Sequence, residues 1–226
     1  PIFDCGISCK REHAMGAITN GLALHGYRPY CSTFMAFSDY LKPALRMAGL
    51  MNLPNIYIFT HDSISVGEDG PTHQPVEQLL GLRSIPNFEV FRPADANEVI
   101  GTYKSIFSKS HSPSVIALSR NKLPILDCTK AGEVEKGGYI VLDTVEKPDG
   151  IVIASGEELH KVIDAVNYLK TLGMNIRVVS MPNLGRFLKQ SEEYKESILP
   201  IGVKKIAVEA SSSLTIISVI PSTFLK

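Results

Sequence analysis

Residues 60–75, THDSISVGEDGPTHQP, bring together two histidines, His61 and His73, and three acids, Asp62, Glu68 and Asp69. Groups of these types can converge on a small molecule, binding phosphate or hydroxyl groups through charge-assisted hydrogen bonds. A metal ion is the other chemistry they suggest. That reading is the weaker, because no short His-x-x-x-His spacing and no cysteine partner accompany them. Gly67, Gly70, Pro71 and Pro75 prevent a helix and fix tight turns, which would hold His61, Asp69 and His73 on a rigid frame. The plain alternative is a polar surface loop with no chemistry in it.

Three further groups have two readings each. Glu12, in Arg11-Glu12-His13 at the start of an expected helix, complements the helix dipole as any first-turn carboxylate does. It becomes an acid–base group only in a low-dielectric pocket that raises its pKa. Phe34, Phe37 and Tyr40 recur every three residues, so on a helical turn they share one side. That spacing suits core packing, or a platform on which a flat heterocycle stacks. Arg120 follows the apolar run from Val115 to Leu118, where its planar fork could clamp a phosphate or carboxylate, or simply face solvent.

The elements that would position these residues follow from hydropathy. Short continuous apolar runs at 56–59, 115–118, 151–154, 176–179 and 206–208 read as strands covered on both faces, as in a parallel sheet. Between 158 and 172, Leu159, Val162, Ile163, Val166 and Leu169 form one helical stripe, with Gly173 as its C-terminal stop. Helices are also expected over 12–24 and 97–107. Strands alternating with helices give an α/β class with mainly parallel sheets. The stretch 121–150 breaks the rhythm and reads as a linker or edge hairpin around the strand-like run 139–142. The expected division is therefore a domain over 1–125, a linker over 126–148 and a second α/β domain over 149–226.

Composition narrows the partners. Lysine plus arginine balance aspartate plus glutamate at 23 each, for zero formal net charge, and hydrophobic residues make up 44%. The balance gives no reason to expect nucleic acid or an acidic membrane. No apolar run approaches the roughly 20 residues of a spanning helix. Cys5 and Cys9 have metal-like spacing without a second pair, so Cys5, Cys9, Cys31 and Cys128 are expected to be reduced thiols of a cytoplasmic protein. The first residue is proline, so the chain is expected to be a piece of something longer.

Taken together, several stretches resemble the transketolase family. They are Arg11-Glu12-His13-Ala14-Met15-Gly16, Ser32-Thr33-Phe34, His61-Asp62-Ser63-Ile64, Gly67-Glu68-Asp69-Gly70-Pro71-Thr72-His73-Gln74-Pro75, Phe91-Arg92-Pro93-Ala94-Asp95, Ala117-Leu118-Ser119-Arg120, and the run from Arg177 to Pro182. The resemblance implies a pyrimidine-binding domain followed by much of a transketolase C-terminal domain. The implied reaction moves a two-carbon ketol unit from a ketose phosphate to an aldose phosphate, in the pentose phosphate pathway, with thiamine diphosphate as cofactor. It implies that Glu12 bonds the aminopyrimidine ring nitrogen and controls its tautomer, with Phe34, Phe37 and Tyr40 around that ring. His61 and Arg120 would bind the sugar phosphate, and Asp69 and His73 the substrate hydroxyls, with His73 also in a catalytic role.

The family's glycine-rich metal-binding segment and diphosphate domain are absent from this sequence. Mg²⁺ or Ca²⁺ is therefore expected on that missing domain, with no metal ligand here, and the chain is expected to be inactive alone. It would act as a homodimer or with a chain that carries the diphosphate domain. The residues from Cys5 to Lys10 and from Ser211 onward depart from the family pattern. Dihydroxyacetone synthase and deoxyxylulose-phosphate synthase are related alternatives. A dimerisation module that has lost its chemistry is an alternative of another kind.

Overall fold

A computed structural model describes residues 11–108, 112–144 and 147–217. Cys5 and Cys9 lie outside the described residues. By packing, the chain divides into two units. One comprises the residues up to Phe91 together with Ile106–Asn121, and the other Arg92–Ser105 together with the residues from Lys122 on.

The first unit is built on four parallel strands in the order β1-β2-β4-β3, with β1 Tyr30–Phe34, β2 Ile56–Thr60, β3 Glu89–Phe91 and β4 Ser114–Ala117. The two central strands are the ones whose apolar runs are continuous, because they alone have neighbours on both edges. The edge strands β1 and β3 contain Ser32, Thr33 and Glu89 and have no such run. Helix α1, Glu12–Leu24, buries Met15, Thr19 and Ala23. At Gly16 an added Cβ would lie 2.8 Å from Ala44 Cβ, so glycine lets α1 close onto α2, Ser38–Leu50. Proline at 43 argues against that helix in the sequence, yet α2 accommodates it. Helix α3, Gln78–Arg83, follows, and α4, Ala96–Ser108, belongs to the second unit except for its last three residues. Tyr57, Phe59, Leu41, Leu45, Leu79 and Leu82 lie in one buried cluster, and each leucine and the phenylalanine contributes about 1.5–3 kcal/mol by leaving water.

The second unit has the strand order β5-β7-β6-β8, with β5 Tyr139–Leu142, β6 Gly150–Ala154, β7 Ile176–Ser180 and β8 Lys204–Val208. Its strands are parallel except β5. The strand-like run inside the expected linker is therefore β5, paired antiparallel to β7 rather than to a neighbour in sequence. Helix α5, Glu158–Thr171, presents the expected stripe, burying Leu159, Val162 and Val166. Gly173 follows it at φ 83°. Helices α6, Leu184–Leu188, and α7, Glu192–Ile198, precede β8, and α8, Ser213–Ile217, follows it.

Arg92 and Glu98 are the two most deeply buried of several buried charged groups described in this unit. Arg92 is fully buried and donates to Ser155 O at 3.1 Å and to the carboxylate of Glu158, with Glu209 Oε1 at 3.8 Å. Glu98 accepts hydrogen bonds from Ala94 N at 2.7 Å, Tyr139 Oη at 2.8 Å and Ser180 Oγ at 2.6 Å. Burial nevertheless outweighs those bonds and raises the Glu98 pKa above 4.5. A carboxyl that holds its proton more tightly when folded stabilises the fold below its unfolded pKa and loses that contribution as pH rises through the folded value. The unfolding free energy should accordingly fall with pH from about the ordinary carboxylate range upward. Glu98→Gln should flatten that slope in urea titrations at several pH values, and an unchanged slope would contradict the assignment.

Candidate functional site

In open α/β sheets, ligands sit beyond the carboxyl ends of the strands, and the ends of β1 and β2 are adjacent here. Phe34, the last residue of β1, is in register with Thr60, the last of β2. The chain then leaves β2 through His61 in the left-handed region, at φ 60°. A non-glycine residue there costs about 1–2 kcal/mol, and such strain is retained chiefly where a side chain must be aimed. The turn lays the His61 ring on Phe34, with centroids 3.7 Å apart and planes within 24°.

Phe34 and Phe37 are nearly coplanar in orientation, 7° apart at a centroid distance of 6.0 Å. Tyr40 leans on Phe37 at 6.1 Å and is itself exposed. The three aromatics therefore are neighbours, though not as one helical stripe. Phe34 ends a strand, Phe37 closes the single 3-10 turn Met35–Phe37, and Tyr40 lies in the first turn of α2. None of their rings is in the core, so the stacking-platform reading is the one their placement supports.

Beyond His61 the loop is pinned by buried Asp62 and Ser63 and turned by Gly67 and Gly70, at φ 81° and 75°. It returns His73 to the platform, edge-on to Phe37 at 5.2 Å and to Phe34 at 6.4 Å. Thr60 Oγ1 lies 3.0 Å from His61 Nδ1, and Thr72 Oγ1 lies 2.9 Å from His73 Nδ1. In each ring the Nε2 atom is the one left for a ligand. Asp69 and Arg120 are exposed, and both are close enough to act on His61. Burial holds the His61 pKa below 6.5, the Arg120 cation and His73 press it further down, and Asp69 and Asp62 oppose them. Removing the cation in Arg120→Leu should raise the His61 pKa in an NMR titration of its ring protons. An unchanged or lower value would show that Arg120 does not face the site.

Glu12 opens α1 and is buried, 6% exposed. Its carboxylate has no hydrogen bond to another described residue, and no ring contact joins it to the platform. Three hydroxyl residues on neighbouring strand ends, Ser32, Thr33 and Thr60, have no role assigned from the sequence. Ser32, Thr33, Phe34, Phe37 and Thr60 line a cavity of about 250 Å³. Thr33 Oγ1 is buried there with no hydrogen-bond partner. Ser32 and Thr33 stand out in the sequence only through the Ser32-Thr33-Phe34 resemblance, because β1 has no hydropathy signature to reveal it.

The first unit is therefore of the parallel α/β class, with an aromatic platform, a small cavity and two histidines gathered at the ends of its strands. Residues 1–125 match the family model for the transketolase pyrimidine binding domain, and 137–224 match the transketolase-like C-terminal domain. The chain belongs to the transketolase family. It is 51% identical over 209 residues to the transketolase of Staphylococcus epidermidis, covering 90% of this chain and 32% of that protein. It thus spans about a third of the curated relatives it matches. The crystal structure of transketolase from Campylobacter jejuni superposes with a TM-score of 0.87 at 43% identity, covering 92% of this chain and 33% of that one. A split gene transketolase, described as an inactive beta4 tetramer, shares the fold with a TM-score of 0.70 at 23% identity. That match covers 95% of this chain and 68% of the other.

Proposed function

We propose that this chain is the pyrimidine-binding and C-terminal portion of a transketolase. With a diphosphate-binding domain it would transfer a two-carbon ketol unit from a ketose phosphate to an aldose phosphate, as in the pentose phosphate pathway. The observation that carries this reading is the assembly of Phe34 and Phe37 with His61 and His73 packed on and against them. The division into a domain over 1–125, a linker over 126–148 and a domain over 149–226 belongs to the same proposal. So do a cytoplasmic setting and a homodimer, or a complex with a separate diphosphate-binding chain.

The residues present fit thiamine diphosphate. Its flat pyrimidine matches the aromatic platform, and the buried, unpartnered Thr33 hydroxyl and the buried Glu12 carboxylate are groups a hydrogen-bonding heterocycle would satisfy. When bound, thiamine diphosphate supplies the carbon nucleophile that the protein's own side chains lack. Phe34, Phe37 and Tyr40 would hold the ring, and Glu12 would hold a proton at a ring nitrogen. Arg120 and His61 would bind the substrate phosphate, while Asp69 and His73 would orient its hydroxyls. Charge-assisted contacts of this kind favour phosphorylated sugars over neutral ones. No cluster of three or more His, Cys, Asp or Glu residues suited to a metal occurs among the described residues. The proposal places Mg²⁺ or Ca²⁺ on the diphosphate domain. No helix among the described residues is long and apolar enough to cross a membrane.

Equilibrium dialysis tests the reading. Thiamine diphosphate should be retained when this chain is mixed with a diphosphate-binding domain and Mg²⁺, in excess of what that domain retains alone. Equal retention with and without this chain would favour a non-catalytic scaffold.

A further inference from the structure

Gln78, at the start of α3, is buried, 8% exposed, and both ends of its amide are used. Its Oε1 accepts from Val76 N at 2.9 Å. Its Nε2 donates to Asp39 Oδ2 at 2.8 Å and lies 3.2 Å from Glu77 Oε1. The orientation is set by chemistry, because a flipped amide would aim an acceptor at two carboxylates and a donor at a backbone N–H. The bridge joins two places that matter to the site. Val76 follows the loop three residues after His73, and Asp39 lies in the first turn of α2 between Phe37 and Tyr40.

We infer that Gln78 is a positioning residue, which ties the end of the 60–75 loop to the platform helix and so sets the edge-to-face seat of His73 on Phe37. The inference rests on the functional reading above for its consequence, since it makes the substrate loop and the cofactor platform one mechanical piece. Without the tie, Val76 would lose its hydrogen-bonded link through Gln78 to Asp39, and the 5.2 Å ring contact would lose its anchor on the loop side. Few side chains can replace the amide. Leucine fills the space and makes neither bond. Glutamate keeps the Val76 bond but sets a third carboxylate beside Asp39 and Glu77, a repulsion that Asp39→Asn would turn back into a hydrogen bond of opposite polarity.

NMR of the His73 ring protons in the full chain tests this without requiring activity. The displacement that Phe37 imposes on those protons is defined by comparing wild type with Phe37→Leu. It should be lost in Gln78→Leu and in Gln78→Glu, and restored when Asp39→Asn is added to Gln78→Glu. Retention of the displacement in folded Gln78→Leu would overturn the inference. If that variant does not fold, the pair of glutamate variants decides. Equal displacement with and without Asp39→Asn overturns it, and recovery only with Asp39→Asn supports it. A failure of the functional reading would show elsewhere, as no cofactor retention on mixing with a diphosphate-binding domain.

Discussion

Glu12→Gln should lower ketol-transfer turnover of the reconstituted enzyme by about 10²- to 10⁴-fold, the range that a positioned acid–base group contributes. The carboxylate is buried at the head of α1 and makes no hydrogen bond to another described residue. A group so placed is kept at some cost unless a ligand satisfies it. Glutamine has nearly the same shape but cannot hold a proton at a ring nitrogen in the way a carboxyl can. Its effect on folding should be small, because the lost dipole complement at the helix start, roughly 0.3–1 kcal/mol, is offset by relief of the buried unpaired charge. Circular dichroism and cofactor retention separate the two effects. Near-normal turnover in a folded, cofactor-loaded Glu12→Gln enzyme would remove Glu12 from the chemistry.

Arg92→Met should lower the unfolding free energy by about 3–5 kcal/mol, because breaking a buried pair leaves uncompensated charge behind. Arg92 has no exposed surface, and the Glu158 and Glu209 side chains that face it are 9% and 8% exposed. Ser155 Oγ also donates to Glu209 Oε1 at 2.7 Å, so the two carboxylates and the guanidinium form one network. Methionine keeps most of the aliphatic stem and removes only the fork. Arg92→Lys keeps the charge and should cost less. Denaturant titration reads both, and a loss below about 1 kcal/mol for Arg92→Met would mean that the carboxylates find other partners or take up protons.

What was legible in the sequence follows from what leaves a periodic trace. The strands with neighbours on both edges, β2, β4, β6 and β7, and the edge strand β8 each have a short apolar run, interrupted in β7 by Arg177, and α5 has a clean stripe. The edge strands β1 and β3 have no run, and Pro43 conceals α2. The candidate site was legible in its residue types because the 60–75 loop is dense in groups with few purely structural uses. Its geometry was not. Phe34, Phe37 and Tyr40 sit at one spacing in sequence but on a strand, a 3-10 turn and a helix, so only the chain's turn at Phe34 brings the rings together. Gln78 and Asp39 lie 39 residues apart, and neither stands out by composition. Arg92 and Glu98 read as ordinary polar residues until the fold buries them.

Ketol transfer by this chain mixed with a separately made transketolase diphosphate-binding domain, thiamine diphosphate and Mg²⁺ is the decisive reading. Turnover should appear on mixing, with a ketose phosphate as donor and an aldose phosphate as acceptor, and should vanish when either polypeptide is withheld. No turnover with both polypeptides present and the cofactor retained would contradict the assignment of this chain as the catalytic partner of that domain.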